Sequence, residues 1–393
     1  MMTTMSKYEI NSNGQNMTVD IQKILDKAKN GSNIELIFNP GIYKTGSLRI
    51  YSNTKLSLKA GCRILAYNSI SDFTDFNEKT KIQYVNDKHM IRLWNLPKHY
   101  FKAIFGAYNA ENITICGEKG SLIDGNNIFD PNGEEHFRGQ MGLTFSNVKN
   151  LKLEGYEVIN SANWSHAIID CSNVNIQHVK INGGHDGFNL HYSRNIKIEH
   201  CVLNTGDDCI AGYEIKDLKI SNCWLNTSCN TFRCGGTNFQ INKCAAIGPG
   251  EYPYRHLKTY FTHDFFRFYS LTTDSLKLDS SKIVFHDMSI QNCRSLVRYY
   301  PASEKELENN RQLKELVFEN CQVENMKHLS HIIGGRKEIN ISFYNCLLGD
   351  LKGFKISENV HIKFENCLNL DTFQIEKDGQ KVCFDEGILN FQI

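Results

Sequence analysis

Apolar and polar residues alternate over short stretches, and the stretches recur. Ile196-Lys197-Ile198-Glu199-His200-Cys201 is followed by Leu218-Lys219-Ile220-Ser221-Asn222-Cys223 and Phe239-Gln240-Ile241-Asn242-Lys243-Cys244. Further copies end at Cys321, Cys346 and Cys367, and looser ones begin at Ile113, Leu151, Val174 and Ile283. The intervals Cys201–Cys223, Cys223–Cys244, Cys321–Cys346 and Cys346–Cys367 are 22, 21, 25 and 21 residues. Period-2 alternation predicts a strand with one face inward. Strands repeating every 20–25 residues or so, with no helical segment between them, predict an all-β, single-stranded parallel β-helix, in which the rest of each coil supplies the crossover. The cysteines, small and apolar, are expected to stack at equivalent inward positions.

The ends and one interior stretch depart from this pattern. Val19 to Ala28 has apolar residues at helical spacing, with Asp20 or Thr18 as candidate cap. A capping helix over about 17–30 is expected to close the stack. Ile34 to Phe38 then reads as a strand and Asn39-Pro40-Gly41 as a turn. The stretch 248–275, rich in Tyr, Phe, His and Arg, breaks the period and reads as an insertion over one face. No linker or low-complexity tract divides the chain, so residues 1–393 are expected to form one domain.

Composition narrows the function classes. Hydrophobic content of 41% with 22% charged residues is that of a soluble globular chain. A net charge of +1 gives no general field for nucleic acid or an anionic membrane, and neither partner is expected. The polar first 16 residues carry no apolar signal segment, so a cytoplasmic location and reduced thiols are expected for the 14 cysteines.

The candidate chemistry is carboxylate chemistry. Asp207 and Asp208 are consecutive in Thr205-Gly206-Asp207-Asp208-Cys209, and Asp186 lies 21 residues upstream, one repeat away. Stacked coils would make the three neighbours. Gly206 permits a bend that aims both members of the pair at the surface. Crowded like charges raise the pKa of at least one member, which then keeps a proton and can protonate a glycosidic oxygen. The ionised members can activate a water, and inverting glycosidases hold acid and base roughly 6.5–9.5 Å apart for that water. Solvated turn aspartates are the alternative.

These residues resemble glycoside hydrolase family 28, the polygalacturonase and rhamnogalacturonase family. Asp20 to Leu25 with Phe38 to Tyr43 is similar to its capping helix and first coil. Asn112 to Ile115, Ile123-Asp124-Gly125 and Asn160 to Trp164 are similar to later hallmarks. Thr205 to Ile210, preceded by Asp186-Gly187, is the most specific match. The resemblance covers about the first 250 residues and implies a right-handed β-helix, hydrolysis with inversion, no metal and no cofactor. It places the general acid at Asp207 and the water-activating pair at Asp186 and Asp208. Gly184-His185 stands where the family has Asn-Thr, Asn230 replaces its Gly-His-Gly histidine, and no Arg-Ile-Lys occurs. The substrate shell is therefore expected to differ from that of a polygalacturonase.

Five residues are candidates for that shell: His185, His191, Asn230, Arg233 and Arg298. Arginine binds carboxylates bidentately, and the histidines can bond sugar hydroxyls. Trp164 reads as core packing before a sugar platform. Tyr252, Tyr254, Arg255 and His256 decorate the insertion, where a wall would favour exo cleavage. The expected partner is a pectin-type or related plant oligosaccharide. The competing classes are a uronide lyase or epimerase and a non-catalytic carbohydrate-binding β-helix.

Overall fold

The recurring stretches pair with one another in parallel, coil upon coil. A computed structural model describes residues 5–82, 88–97, 101–255, 258–269, 276–299, 311–333 and 336–393. They form two compact units, Met1–Val202 and Leu203–Ile393. In the first, Leu36, Leu56, Ile115, Leu153, Ile176 and Ile198 occupy one register position on six strands. All six are fully buried. Burying a leucine or isoleucine contributes roughly 1.5–3 kcal/mol, so this column alone is a substantial part of the core.

The second unit repeats the column with larger side chains. Ile220 and Ile241 are followed in register by Phe285, Phe318, Phe343 and Phe364. The Phe318 and Phe343 rings stack at 4.9 Å and 8°, and Phe343 and Phe364 at 5.0 Å and 10°. Offset-stacked rings add about 0.5–1.5 kcal/mol per pair beyond burial. The last strand, Gly387–Gln392, runs antiparallel to Val360–Asn369. Both units are therefore parallel β-helix coils.

The Asn-Cys repeat has a local cause. Asn222, Asn320, Asn345 and Asn366 have φ of 53°, 51°, 52° and 53°. This left-handed conformation turns the chain between two strands, and asparagine tolerates it better than most residues. The cysteine that follows is buried, and its thiol donates to the carbonyl two residues back. The Sγ···O distances are 3.2 Å for Cys223–Ser221, 3.3 Å for Cys321–Glu319 and 3.3 Å for Cys346–Tyr344. The cysteines stack as expected, with the Cys346 thiol bonded to those of Cys321 and Cys367. All 14 are free thiols.

The N-terminal helix is shorter than its sequence pattern. It spans Thr18–Leu25, followed by a single 3₁₀ turn at Asp26–Ala28. Ile21 and Leu25 are fully buried. Neither Asp20 nor Thr18 caps it: Met17 is the N-cap residue, and Asn16 Oδ1 accepts from the Thr18 backbone N–H at 3.0 Å. Ile34–Phe38 is a strand, as its alternation indicated.

Candidate active site

The strand ending at Thr205 gives way to a bend at Gly206-Asp207, and Ile210–Ser221 resumes the sheet. Two threonines fix the bend. Thr205 Oγ1 donates to the Asp207 carbonyl at 2.7 Å, and Thr227 Oγ1, one coil on, donates to the same oxygen. The Cys209 and Ile210 N–H groups bond to the Asn230 and Thr231 carbonyls at 3.1 Å each. Both aspartates are 2% exposed as whole residues, so the bend does not leave them at the open surface.

Each aspartate has its own arginine. Arg233 Nε donates to Asp208 Oδ2. Asn230 Nδ2 donates to Asp208 Oδ1 at 2.7 Å, and the Asn230 backbone N–H reaches the same oxygen at 3.3 Å. Arg255 Nε donates to Asp207 Oδ2 at 2.8 Å. Burial pushes the Asp208 carboxyl above its ordinary range. The Arg233 charge opposes this, the Asp207 charge adds to it, and the bonds from Asn230 and Arg233 oppose it again. Desolvation wins because Asp208 is removed from water on all sides.

Arg255 comes from the insertion, which is pinned to the coil beneath it. Asn226 Nδ2 donates to the carbonyls of Ile247 and Pro249 at 2.7 Å each, and its Oδ1 accepts from Glu251 N–H at 2.6 Å. Ser228 Oγ donates to the Tyr252 carbonyl, and Thr262 Oγ1 to the Thr227 carbonyl at 2.6 Å. Gly250 is required here, because a Cβ would stand 2.5 Å from the Ser228 nitrogen. The chain rejoins the sheet at Asp264–Phe268, earlier than the expected 275, and 270–275 lie outside the described residues. The Tyr254 ring packs on the Arg255 guanidinium at 4.8 Å and on His263 at 5.2 Å. Burial, then Arg294, pushes the His263 pKa down. His256 lies outside the described residues.

Asp207, Asp208 and Cys229 each bring a ligand atom within 4.8 Å of the others, close enough to hold a cation. The donors do not suit one. Each carboxylate is already neutralised by an arginine, and burial pushes the Cys229 thiol far above its ordinary range, so it is not the thiolate a metal needs.

Four of the sequence candidates lie in the first unit. Asp186 is 2% exposed, its Oδ2 accepts from Asn189 Nδ2 at 2.9 Å, and its carbonyl accepts from Ser165 N–H at 2.9 Å. His185 lies against Phe137 and Phe129 at 5.7 and 6.2 Å. His191 stacks on Trp164 at 6.4 Å, and Trp164, 5% exposed, packs on Phe101 at 5.0 Å. In the second unit, Asn230 and Arg233 are brought to Asp208. Arg298 stands in Ser295–Tyr299 as register neighbour of Arg267. The pairing of Arg255 with Asp207 was not legible in the sequence, because 48 residues and an irregular loop separate them.

Residues 93–233 match the model of glycosyl hydrolases family 28. This segment is similar to glycoside hydrolase family 28. The family 28 exopolygalacturonase of Yersinia enterocolitica superposes with a TM-score of 0.63 at 16% identity, over 96% of this chain and 76% of that one. The polygalacturonase of Erwinia carotovora ssp. carotovora gives 0.63 at 16%, over 92% and 97%. PfbA, a surface adhesin of Streptococcus pneumoniae, gives 0.64 at 14%, over 99% and 96%. These three share the fold. No curated protein sequence matches the chain.

Proposed function

We propose that this chain is an inverting, exo-acting glycoside hydrolase of pectin-type or related plant oligosaccharides. The observation that carries the proposal is the buried Asp207–Asp208 pair, which lies in the segment similar to family 28 and is held by Arg233, Asn230 and, from beyond that segment, Arg255. Burial and crowding in such a pair favour a retained proton on one carboxyl while its neighbour stays ionised, which is the division of labour that acid–base hydrolysis needs. Asp207 protonates the leaving oxygen and Asp208 helps to activate water. Asp186 is assigned to water activation on its place in the family motif alone. The exo reading rests on the pinned insertion that carries Arg255 to Asp207.

The upward push on a carboxyl falls on Asp208, whereas the family correspondence gives the acid to Asp207. The two assignments are separable. Oligosaccharides of galacturonic acid, rhamnogalacturonan, galactose and xylose are screened with product anomers followed by NMR. Asp207→Asn lowers turnover by about 10²–10⁴-fold on natural glycosides. A 4-nitrophenyl leaving group, which needs no proton, rescues the acid variant alone. Rescue of Asp208→Asn instead would exchange the roles, and full turnover in both variants would end the proposal.

The competing reading, elimination at a uronide, finds no free base in Arg255 or Arg233, which stay protonated against their carboxylates. An unsaturated, ultraviolet-absorbing product in the same screen would select it.

A further inference from the structure

One outward row of the second unit carries no charged side chain and leaves a tryptophan in the open. Trp224 pairs with Ala245, Ala245 with Ser289, Ser289 with Gln322, Gln322 with Leu347 and Leu347 with Leu368. The residues that follow the first five, Leu225, Ala246, Ile290, Val323 and Leu348, are at most 1% exposed. Successive side chains of a strand alternate between faces, so the row itself points outward. Trp224 is 37% and Leu368 43% exposed at its two ends. Six strands about 4.8 Å apart make a face roughly 24 Å long.

Two residues further along three of these strands, Ile247, Gln291 and Glu324 continue the same face. Glu324 is the one charge among these nine positions, and it accepts a hydrogen bond from Gln322 Nε2. Gln291 Nε2 donates to Ser289 Oγ at 3.3 Å. A carboxamide has two donors and an acceptor oxygen, so one such bond leaves each able to serve a ligand hydroxyl. A comparable row in the first unit is charged instead: Leu122, Glu157 and Lys180 align there, and Glu157 meets Lys180 at 3.4 Å. Three residues along each strand make the uncharged face about 10 Å wide, or about 240 Å² in all. A stable pair of protein chains buries about 800 Å² on each partner, so the face is too small to hold a second copy of this chain.

We propose that this face is a non-catalytic binding site for a neutral, extended glycan chain, with the Trp224 indole as its stacking platform. A pyranose ring presents an apolar C–H face with hydroxyls around its edge. The indole takes the apolar face, and the Gln291 and Gln322 amides bond hydroxyls farther along the row. A chain of equatorially linked sugars is a flat ribbon and follows a sheet face across several strands. The row has no cation to neutralise a uronate carboxylate brought against it, and Glu324 repels one, so the chain it takes is neutral, of the β-1,4-xylan or β-1,4-glucan kind. The site stands independently of the reading of Asp207–Asp208.

The test titrates the full chain calorimetrically with xylohexaose, cellohexaose and, as the acidic control, hexagalacturonate. The expected result is binding of at least one neutral hexamer with an affinity unchanged by added salt. Trp224→Ala is expected to weaken that binding about three- to tenfold, the range of one aromatic contact. Ser289→Glu, which sets a carboxylate in the middle of the row and leaves the core alone, should weaken it comparably. Both variants should melt with the wild type, which separates loss of the site from loss of the fold. No binding of either neutral hexamer, equal binding by wild type and both variants, or displacement of the neutral hexamer from this face by hexagalacturonate would overturn the proposal. So would a dimer at micromolar concentration that Trp224→Ala dissociates, since the face would then belong to a second copy. Neutral-hexamer binding that both variants weaken upholds the site whether or not the chain hydrolyses any glycoside.

Discussion

Replacing Arg233 by glutamine isolates the electrostatics of the acidic pair. The Asp208 carboxylate is 3% exposed and the Arg233 side chain 15%, so the variant strips a cation from a group with almost no access to water. Breaking such a pair from one side costs roughly 3–5 kcal/mol while the remaining charge stays ionised. Asp208 has an escape, because burial already pushes its carboxyl up and the variant removes the main opposing influence. It takes a proton instead. A raised carboxyl binds more protons folded than unfolded, so its contribution to stability falls as pH climbs from the unfolded carboxylate value towards the folded one. The loss on Arg233→Gln should therefore be smaller at pH 4.5 than at pH 7.5, because acid favours the protonated carboxyl, which needs no arginine. With about 2.1 cal/mol/K of unfolding entropy per residue, a loss of about 4 kcal/mol lowers the melting temperature of a 393-residue chain by about 5 °C in a single transition. The assay is thermal melting of wild type, Arg233→Gln, Asp208→Asn and the double variant at both pH values, read as a double-mutant cycle. An equal loss at both pH values, or the full loss retained in the Asp208→Asn background, would refute the reasoning.

Three further outcomes follow from the fold. Phe318→Ala removes the ring stacked between Phe285 and Phe343 and should cost about 3–5 kcal/mol in urea titration; a loss below 1 kcal/mol would mean that the column is not a cooperative core. Lys243, exposed and at φ 52°, holds the corner position that asparagine occupies elsewhere, so Lys243→Asn should raise stability by up to about 1 kcal/mol, and a decrease would contradict the corner argument. His331, in register with Arg298 and Lys355, is lowered by burial and by both of their charges, against the pull of Glu376 and Asp264, so Lys355→Gln should move its NMR titration upward; a downward or absent shift would disprove that repulsion.

The coil was legible in the sequence because its signals are local. Alternation marks each strand, and the Asn-Cys corner follows from one residue's φ and one thiol bonded two residues back. The helix was over-read: apolar spacing continues to Ala28, but the chain tightens into a 3₁₀ turn after Leu25, and Asn16 supplies the cap from outside the periodic stretch. Asn230 and Arg233 were within reach because one coil of spacing brings them to Asp208. Arg255 was not, since its position depends on Asn226, Ser228 and Thr262 holding down an irregular loop. The alignment of Arg233, Arg267, Arg298, His331 and Lys355 on successive strands was hidden for a related reason. Its members are separated by 34, 31, 33 and 24 residues, intervals stretched unequally by insertions, so only the strand register reveals that they align.

The corner thiols also make the protein easy to label. Twelve of the 14 cysteines are buried, Cys116 is half-buried, and Cys383 is exposed on the Gln380–Phe384 strand. A maleimide dye offered briefly to the native protein should attach at that single position, giving one fluorophore without removing any native cysteine. The remaining sulfurs would react only as coils come apart, so the number of dyes taken up over time becomes a count of how many rungs have opened.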